Sequence, residues 1–148
     1  MKKQLINLLF TSLILLLSCS PKIDKSKIAG SWYFVDYADK PYSKTELNNF
    51  DEDIKSSPKG WIKSFNYIFE KDSSYEYIIY NALIHKGTYS VNKNDYIILR
   101  DTIESKNDTL KIKYLDDKFL QVIHNDNERV FIYYKTNKLP KVEVITTE

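Results

Sequence analysis

The sequence predicts an all-β fold, an eight-stranded antiparallel up-and-down barrel, and three observations predict it. From Ile28 onward, short segments rich in Tyr, Ile, Phe and Val recur between clusters of Asn, Asp, Lys and Ser. Apolar and polar residues alternate along most of them, giving each strand one dry and one wet face, the mark of antiparallel sheet. The connections also alternate, short then mostly longer, as in a meander whose successive links lie at opposite ends. Eight such strands abolish their exposed edges by closing into a barrel.

The eight segments are 31–37, 61–70, 75–80, 87–91, 96–100, 109–115, 119–124 and 129–135. In the second, Phe65, Tyr67 and Phe69 oppose Ser64, Asn66 and Glu70; in the sixth, Leu110, Ile112 and Tyr114 oppose Lys111 and Lys113. The 12 tyrosines suit this fold, because a ring fills an interior while its hydroxyl reaches the edge. A single helix is predicted over 43–56, where Ser43 and Glu46 form a capping box and Leu47, Phe50 and Ile54 share one side. Ser57-Pro58-Lys59-Gly60 ends it. Its three apolar residues need a surface to pack on, which favours a cover over one side of the barrel above a lid across its mouth. Asp51-Glu52-Asp53, interleaved with Lys55 and Lys59, reads as a solvated helix face. The links 71–74, 92–95 and 116–118 are tight, whereas 38–60, 81–86, 101–108 and 125–128 are longer. One end is thus closed by turns and the other ringed by loops.

The first 22 of the 148 residues differ from the rest. Lys2 and Lys3 precede an apolar run over 5–17 broken only by Asn7, Thr11 and Ser12, and Ser18 stands just before Cys19, the only cysteine. That is the three-part layout of a secretory leader. At 13 residues the run is too short to cross roughly 30 Å of hydrocarbon as a helix. Leu16-Leu17-Ser18-Cys19 resembles the lipobox of bacterial lipoproteins. The resemblance implies that Cys19 takes a diacylglycerol on its sulfur, becomes the N-terminus after cleavage, and is then N-acylated by a palmitate-type chain. Each buried acyl methylene contributes about 0.8 kcal/mol, so two or more chains give stable attachment to membrane lipid. Ser20, rather than Asp, after the cysteine favours the outer membrane by analogy with enterobacterial sorting.

The chain then divides into a leader (1–18), a lipidated tether (19–27), a barrel domain (28–135) and a tail (136–148) in which Val142-Glu143-Val144 alternates like an extra edge strand. As a polar, aperiodic tether, residues 20–27 would hold the domain at most roughly 25 to 30 Å from the lipid. With one cysteine no internal disulfide is possible.

Cleavage also changes the charge. The 22 basic side chains less Lys2 and Lys3 leave 20, against 20 acidic ones, so the mature chain is formally neutral. Nucleic-acid binding loses its electrostatic support. The two histidines have no ligand neighbour at three or four residues, so no metal site is expected. With 3 glycines in the chain, no phosphate-cradling loop or strained nucleophile turn can be assembled, and neither a cofactor nor catalytic residues are expected.

Ile28-Ala29-Gly30-Ser31-Trp32 resembles the Gly-x-Trp opening of the lipocalins, more narrowly of the small lipocalin-like lipoproteins of the Bacteroidota. Tyr67-Ile68-Phe69-Glu70-Lys71-Asp72 followed by Tyr75, and Gly87-Thr88-Tyr89-Ser90-Val91, resemble those proteins' second strand with its turn and their fourth strand. The likeness spans about residues 28 to 135. It implies that Trp32 plugs the closed end of the barrel beneath a basic residue, here Lys135 in place of the usual arginine. The helix that usually follows is replaced by the tail. If Trp32 marks the closed end, the long loops surround an open mouth where Trp61, His85, Arg100, His124 and Arg129 gather. The expected function is non-enzymatic binding of a small apolar or amphiphilic molecule, with guanidinium groups holding an acidic head and rings taking the body. The alternative is a filled barrel serving as a protein-interaction or structural module.

Overall fold

The computed structural model describes residues 23–63, 65–125 and 127–137. The leader, Cys19 with its expected lipid, and the tail's Val142-Glu143-Val144 lie outside the described residues. Eight strands run in chain order: β1 (Gly30–Ala38), β2 (Phe65–Phe69), β3 (Ser74–Ile79), β4 (Ala82–Val91), β5 (Tyr96–Asp101), β6 (Asn107–Leu115), β7 (Phe119–His124) and β8 (Val130–Lys135). Each pairs antiparallel with the next, and β8 returns to β1 with Trp32 opposite Lys135 and Ala38 opposite Val130, closing the barrel.

Three irregularities depart from strict alternation, and each decides which way a side chain faces. A bulge in β1 between Phe34 and Asp36 lets Phe34 pair with Tyr133 and Tyr37 with Phe131, so both aromatic rings stay on the inner face. Opposite Tyr77, strand β4 steps from His85 to Leu83, which keeps His85 inward. In β6, pairing slips past Lys113, so Tyr114 sits opposite Gln121. Tyr114 therefore packs on the outer wall rather than beside Leu110 and Ile112 as its spacing predicts, and its hydroxyl donates to Asp116 at 2.7 Å.

The link expected over 81–86 is instead a two-residue turn. Tyr80 and Asn81 both have left-handed φ (48° and 65°), the conformation that matches the twist of a tight hairpin, and β4 begins at Ala82. At the other end, β2 begins at Phe65 rather than at Trp61, which belongs to a short helix.

The lower barrel is solidly packed. Trp32, Phe69, Ile97, Leu110 and Leu120 are buried in one cluster with Tyr67, Tyr75 and Tyr133. Ile97 faces in, which turns Ile98 out. Residues 23–29 seal this end. A 3₁₀ turn (Lys25–Lys27), capped by the Asp24 carboxylate on Ser26 N–H, runs under the strands, and Ile23 and Ile28 pack on the core. Lys25 pairs with Asp95 (3.6 Å) and Lys27 with Asp117 (3.0 Å), both in turns of the closed end. From Ile23 onward, the stretch expected to serve as a tether is held against the barrel.

Outside the wall, α1 (Lys44–Ser56) is capped by Ser43 and Glu46 as its sequence predicts. Leu47, Phe50 and Ile54 pack with Val35, Phe119 and Ile132 on the outer face of β1, β7 and β8, so the helix is a side cover. Burying three such side chains contributes about 1.5–3 kcal/mol each. Asp51 corrects the solvated-face expectation: it is 3% exposed and pins the helix to the barrel. Its carboxylate accepts from Lys118 in the β6–β7 turn, from Tyr134 on β8 (2.9 Å), and pairs with Lys55 (2.9 Å). Glu52 and Asp53 do face solvent. A second pin lies at Gln121, fully buried, whose amide exchanges two hydrogen bonds with the backbone of Tyr42: N–H to Oε1 at 2.7 Å and Nε2 to the carbonyl at 2.9 Å. These two polar ties hold the long β1–β2 connection off the mouth.

Candidate ligand cavity at the barrel mouth

Strand alternation carries a column of inward side chains upward from the packed floor. On β2 and β3, Tyr67 stacks on Tyr77 (ring centroids 4.5 Å apart). Tyr67 also meets the edge of Tyr133 on β8 at 5.6 Å. Tyr67 and Tyr133 are both buried and form the floor on which the upper barrel opens. Above them, Phe34 contacts Phe65 at 6.1 Å and Phe131 at 6.0 Å, giving an aromatic wall. This wall bounds a cavity of about 520 Å³ that His124, Asp108 and Asn127 also line.

A second space of about 440 Å³ adjoins it, and Tyr77, Asp108 and His124 line both. Its remaining wall is polar: His85, Asp101, Glu104 and Lys106 stand over Tyr75 and Leu99. The mouth is therefore two-sided, rings on one flank and ionisable groups on the other, with Asp108 and His124 at the junction.

Local electrostatics follow from burial and pairing. His85 Nδ1 faces the Asp101 carboxylate. Burial pushes the Asp101 pKa up, but the N–H groups of Glu104 and Ile103 and the His85 imidazole outweigh it, so the carboxyl is held below its ordinary value. That direction is opposite to what a general acid needs. Glu104 is paired with Lys106 at 3.2 Å. His124 lies 3.3 Å from the Tyr133 hydroxyl and 4.5 Å from the Phe131 ring centroid. Burial lowers its pKa, with Asp108 opposing, so the imidazole is neutral at neutral pH. Tyr67 and Tyr133 are raised well above the ordinary phenol value, by burial first. Tyr75 is pushed up to about 12 for the same reason. Among the described residues, no group of three or more His, Cys, Asp or Glu is placed to hold a metal ion.

Of the residues that the sequence placed at the mouth, the structure brings His85 and His124 into the cavity. Arg129 stands at its rim, with its guanidinium 4.8 Å from the centroid of the Tyr37 ring. Arg100 is not part of it. Leu99 and Asp101 face inward, so Arg100 points to the outer surface, where it donates to Ser90 Oγ at 3.2 Å. Trp61 is also elsewhere, packed edge-on against Phe50 at 4.9 Å under the helix. At the opposite pole Trp32 is fully buried and donates its indole N–H to the Ile28 carbonyl (2.6 Å). Lys135 lies above it, its ammonium 4.9 Å from the ring centroid and bonded to the Lys27 carbonyl (2.8 Å). Sequence reasoning missed Asp101 and Asp108. Asp108 was accessible from alternation, since it lies two residues from Leu110 on the face shared with Ile112, whereas Asp101 follows the run Ile97-Ile98-Leu99, which is apolar on both faces.

A closed eight-stranded meander, plugged by a tryptophan at one end and hollow at the other, defines a lipocalin-like barrel. The solved structures with which it compares include a lipocalin-like protein from Bacteroides uniformis, with TM-score 0.51 and 18% identity over 74% of this chain and 99% of that one. A DUF4847-family protein from Bacteroides vulgatus aligns at TM-score 0.45 and 15% identity over 75% of this chain and 95% of that one. No protein-family profile and no curated protein matches the sequence.

Proposed function

We propose that this protein is a lipid-anchored, non-enzymatic binding protein of the cell envelope, seated on the outer membrane, whose barrel mouth takes a small apolar or amphiphilic molecule. The observation that carries this reading is the aromatic-walled cavity of about 520 Å³ above Tyr67 and Tyr133, within the range of small-molecule pockets. Anchoring rests on the leader and on Cys19. Three residues separate Cys19 from Ile23, which packs on the core at the closed end, and the four Cα–Cα steps between the two span roughly 14 Å when extended. The closed end then faces the bilayer and the mouth faces away.

The test is saturable uptake of the uncharged dye N-phenyl-1-naphthylamine by the mature protein, followed by fluorescence. One-to-one binding that is lost in Asn127→Trp, a substitution filling the mouth from an exposed loop position, supports the reading; absence of saturable binding overturns it. The second reading, a protein-interaction module, has one feature on its side. The β3–β4 hairpin tip exposes Tyr80, Leu83 and Ile84 to solvent beside the mouth.

A further inference from the structure

Resting on the reading of the mouth as a ligand cavity, we infer that its ligand carries a positive charge: an organic ammonium joined to an apolar body, its head held at Asp108 and its body against the Phe34, Phe65 and Phe131 wall. The expectation of an acidic head rested on Arg100 and Arg129. Arg100 faces outward, and Arg129 is stacked on Tyr37 at the rim. The carboxylates Asp101, Glu104 and Asp108 line the mouth, against one lysine, Lys106, and two histidines, His85 and His124. Asp101 is engaged by His85 Nδ1 and by the N–H groups of Ile103 and Glu104, and Glu104 is paired with Lys106, so both carboxylates already have partners.

Asp108 is different. Among the described residues no cation lies against it, and its side chain accepts only from the N–H of Thr109 (2.7 Å). It borders both cavities. Its charge reaches inward far enough to act on Tyr67, Tyr75, Tyr133 and His124. The surrounding rings present negative π faces, which attract a cation and repel an anion. An entering carboxylate would meet an unneutralised carboxylate beside aromatic faces; an ammonium would complete the pair.

Isothermal titration calorimetry with three probes of one body and different heads tests this: 4-phenylbutylamine, 4-phenyl-1-butanol and 4-phenylbutyrate at pH 7 and low salt. The amine is expected to bind about tenfold more tightly than the alcohol, and the butyrate least. Asp108→Asn, at an exposed strand position, should bring the amine down to the alcohol's affinity without moving the alcohol. Glu76→Gln removes a carboxylate from the outer face of β3, between the inward Tyr75 and Tyr77, and should leave the order unchanged. Butyrate binding as tightly as the amine, or an amine preference that survives Asp108→Asn, overturns the inference. Equal binding of all three leaves the cavity reading standing and removes the charge preference. Failure of all three, the alcohol included, counts against the cavity itself.

Discussion

Lys135 covers the ring of Trp32 across the β1–β8 pairing, and it reaches there because residue 30 has no Cβ. Gly30 has φ +137°, a region that side chains avoid, and a Cβ at that position would lie 2.3 Å from Lys135 Cε. The two residues that close the barrel's lower end are thus coupled through a glycine between them in space.

Gly30→Ala should destabilise the protein by about 1–3 kcal/mol, from backbone strain and displacement of the lysine. Lys135→Ala alone should cost about 0.5–1 kcal/mol. In the double variant the steric part should vanish and the strain persist, so urea denaturation should give less than the sum of the two. Additivity would show that the lysine and the glycine do not interact.

Asp51 should govern the acid limb of stability. Burial acts to raise its pKa, but Lys118, Lys55 and the Tyr134 hydroxyl prevail and lower it below 3.8. A depressed folded-state value contributes stability above pH 3.8 that is lost as pH falls through the lower folded value. Both lysines are half exposed, which limits the gain. Asp51→Asn should cost about 1–3 kcal/mol at pH 7 and flatten the decline below pH 4, measured by thermal unfolding against pH.

His124 sets a second pH window of opposite origin. Its folded pKa lies below 6.5, because burial disfavours the imidazolium and Asp108 offsets only part of this. Above pH 6.5 both states are neutral there and the residue is silent. Between 6.5 and the lower folded value the unfolded chain takes the proton first, so stability falls as pH falls. The difference between the native protein and His124→Phe, followed by urea midpoints at pH 7.5 and 5.5, should therefore shift toward the variant at the lower pH. A constant difference would mean that the imidazole is not desolvated.

The proposed anchoring makes a geometric prediction. With Cys19 acylated, the mature chain holds no other thiol, and introduced cysteines can be labelled singly. In proteoliposomes, a fluorophore on Lys93→Cys, in the closed-end turn, should be quenched by lipid-borne quenchers more strongly than one on Asn127→Cys at the mouth. Equal quenching, or the reverse order, would reject the orientation. Cys19→Ala should abolish incorporation of labelled palmitate.

Much of the barrel was legible in the sequence because half-buried strands write their two faces as alternation. Phe65, Tyr67 and Phe69 do share the inner face, and the capping box at Ser43 and Glu46 forms as its spacing predicts. Bulges are not written that way. Nothing in the residue types at Val35, Ile84 or Lys113 announces a pairing slip, so alternation leaves the side of Tyr37 open and puts Tyr114 on the wrong one. The run Ile97-Ile98-Leu99 hid its phase because both faces are apolar. That ambiguity placed Arg100 at the mouth and passed over Asp101. Asp51 and Gln121 look like surface residues by type. They are buried only because the helix connection lies down on β7 and β8, and that long-range contact has no local signature.

The seam between β1 and β8 joins the first strand of the domain to its last. Until Val130–Lys135 has been synthesised, Trp32 and its neighbours have no partner on one side, and a chain cut short anywhere upstream presents a bare sheet edge. Ring closure brings together segments separated by nearly the full length of the domain, a slow search by the usual topological rule. A chain that ends before β8 leaves β1 and β7 as open edges, the kind of unpaired strand that pairs with other chains.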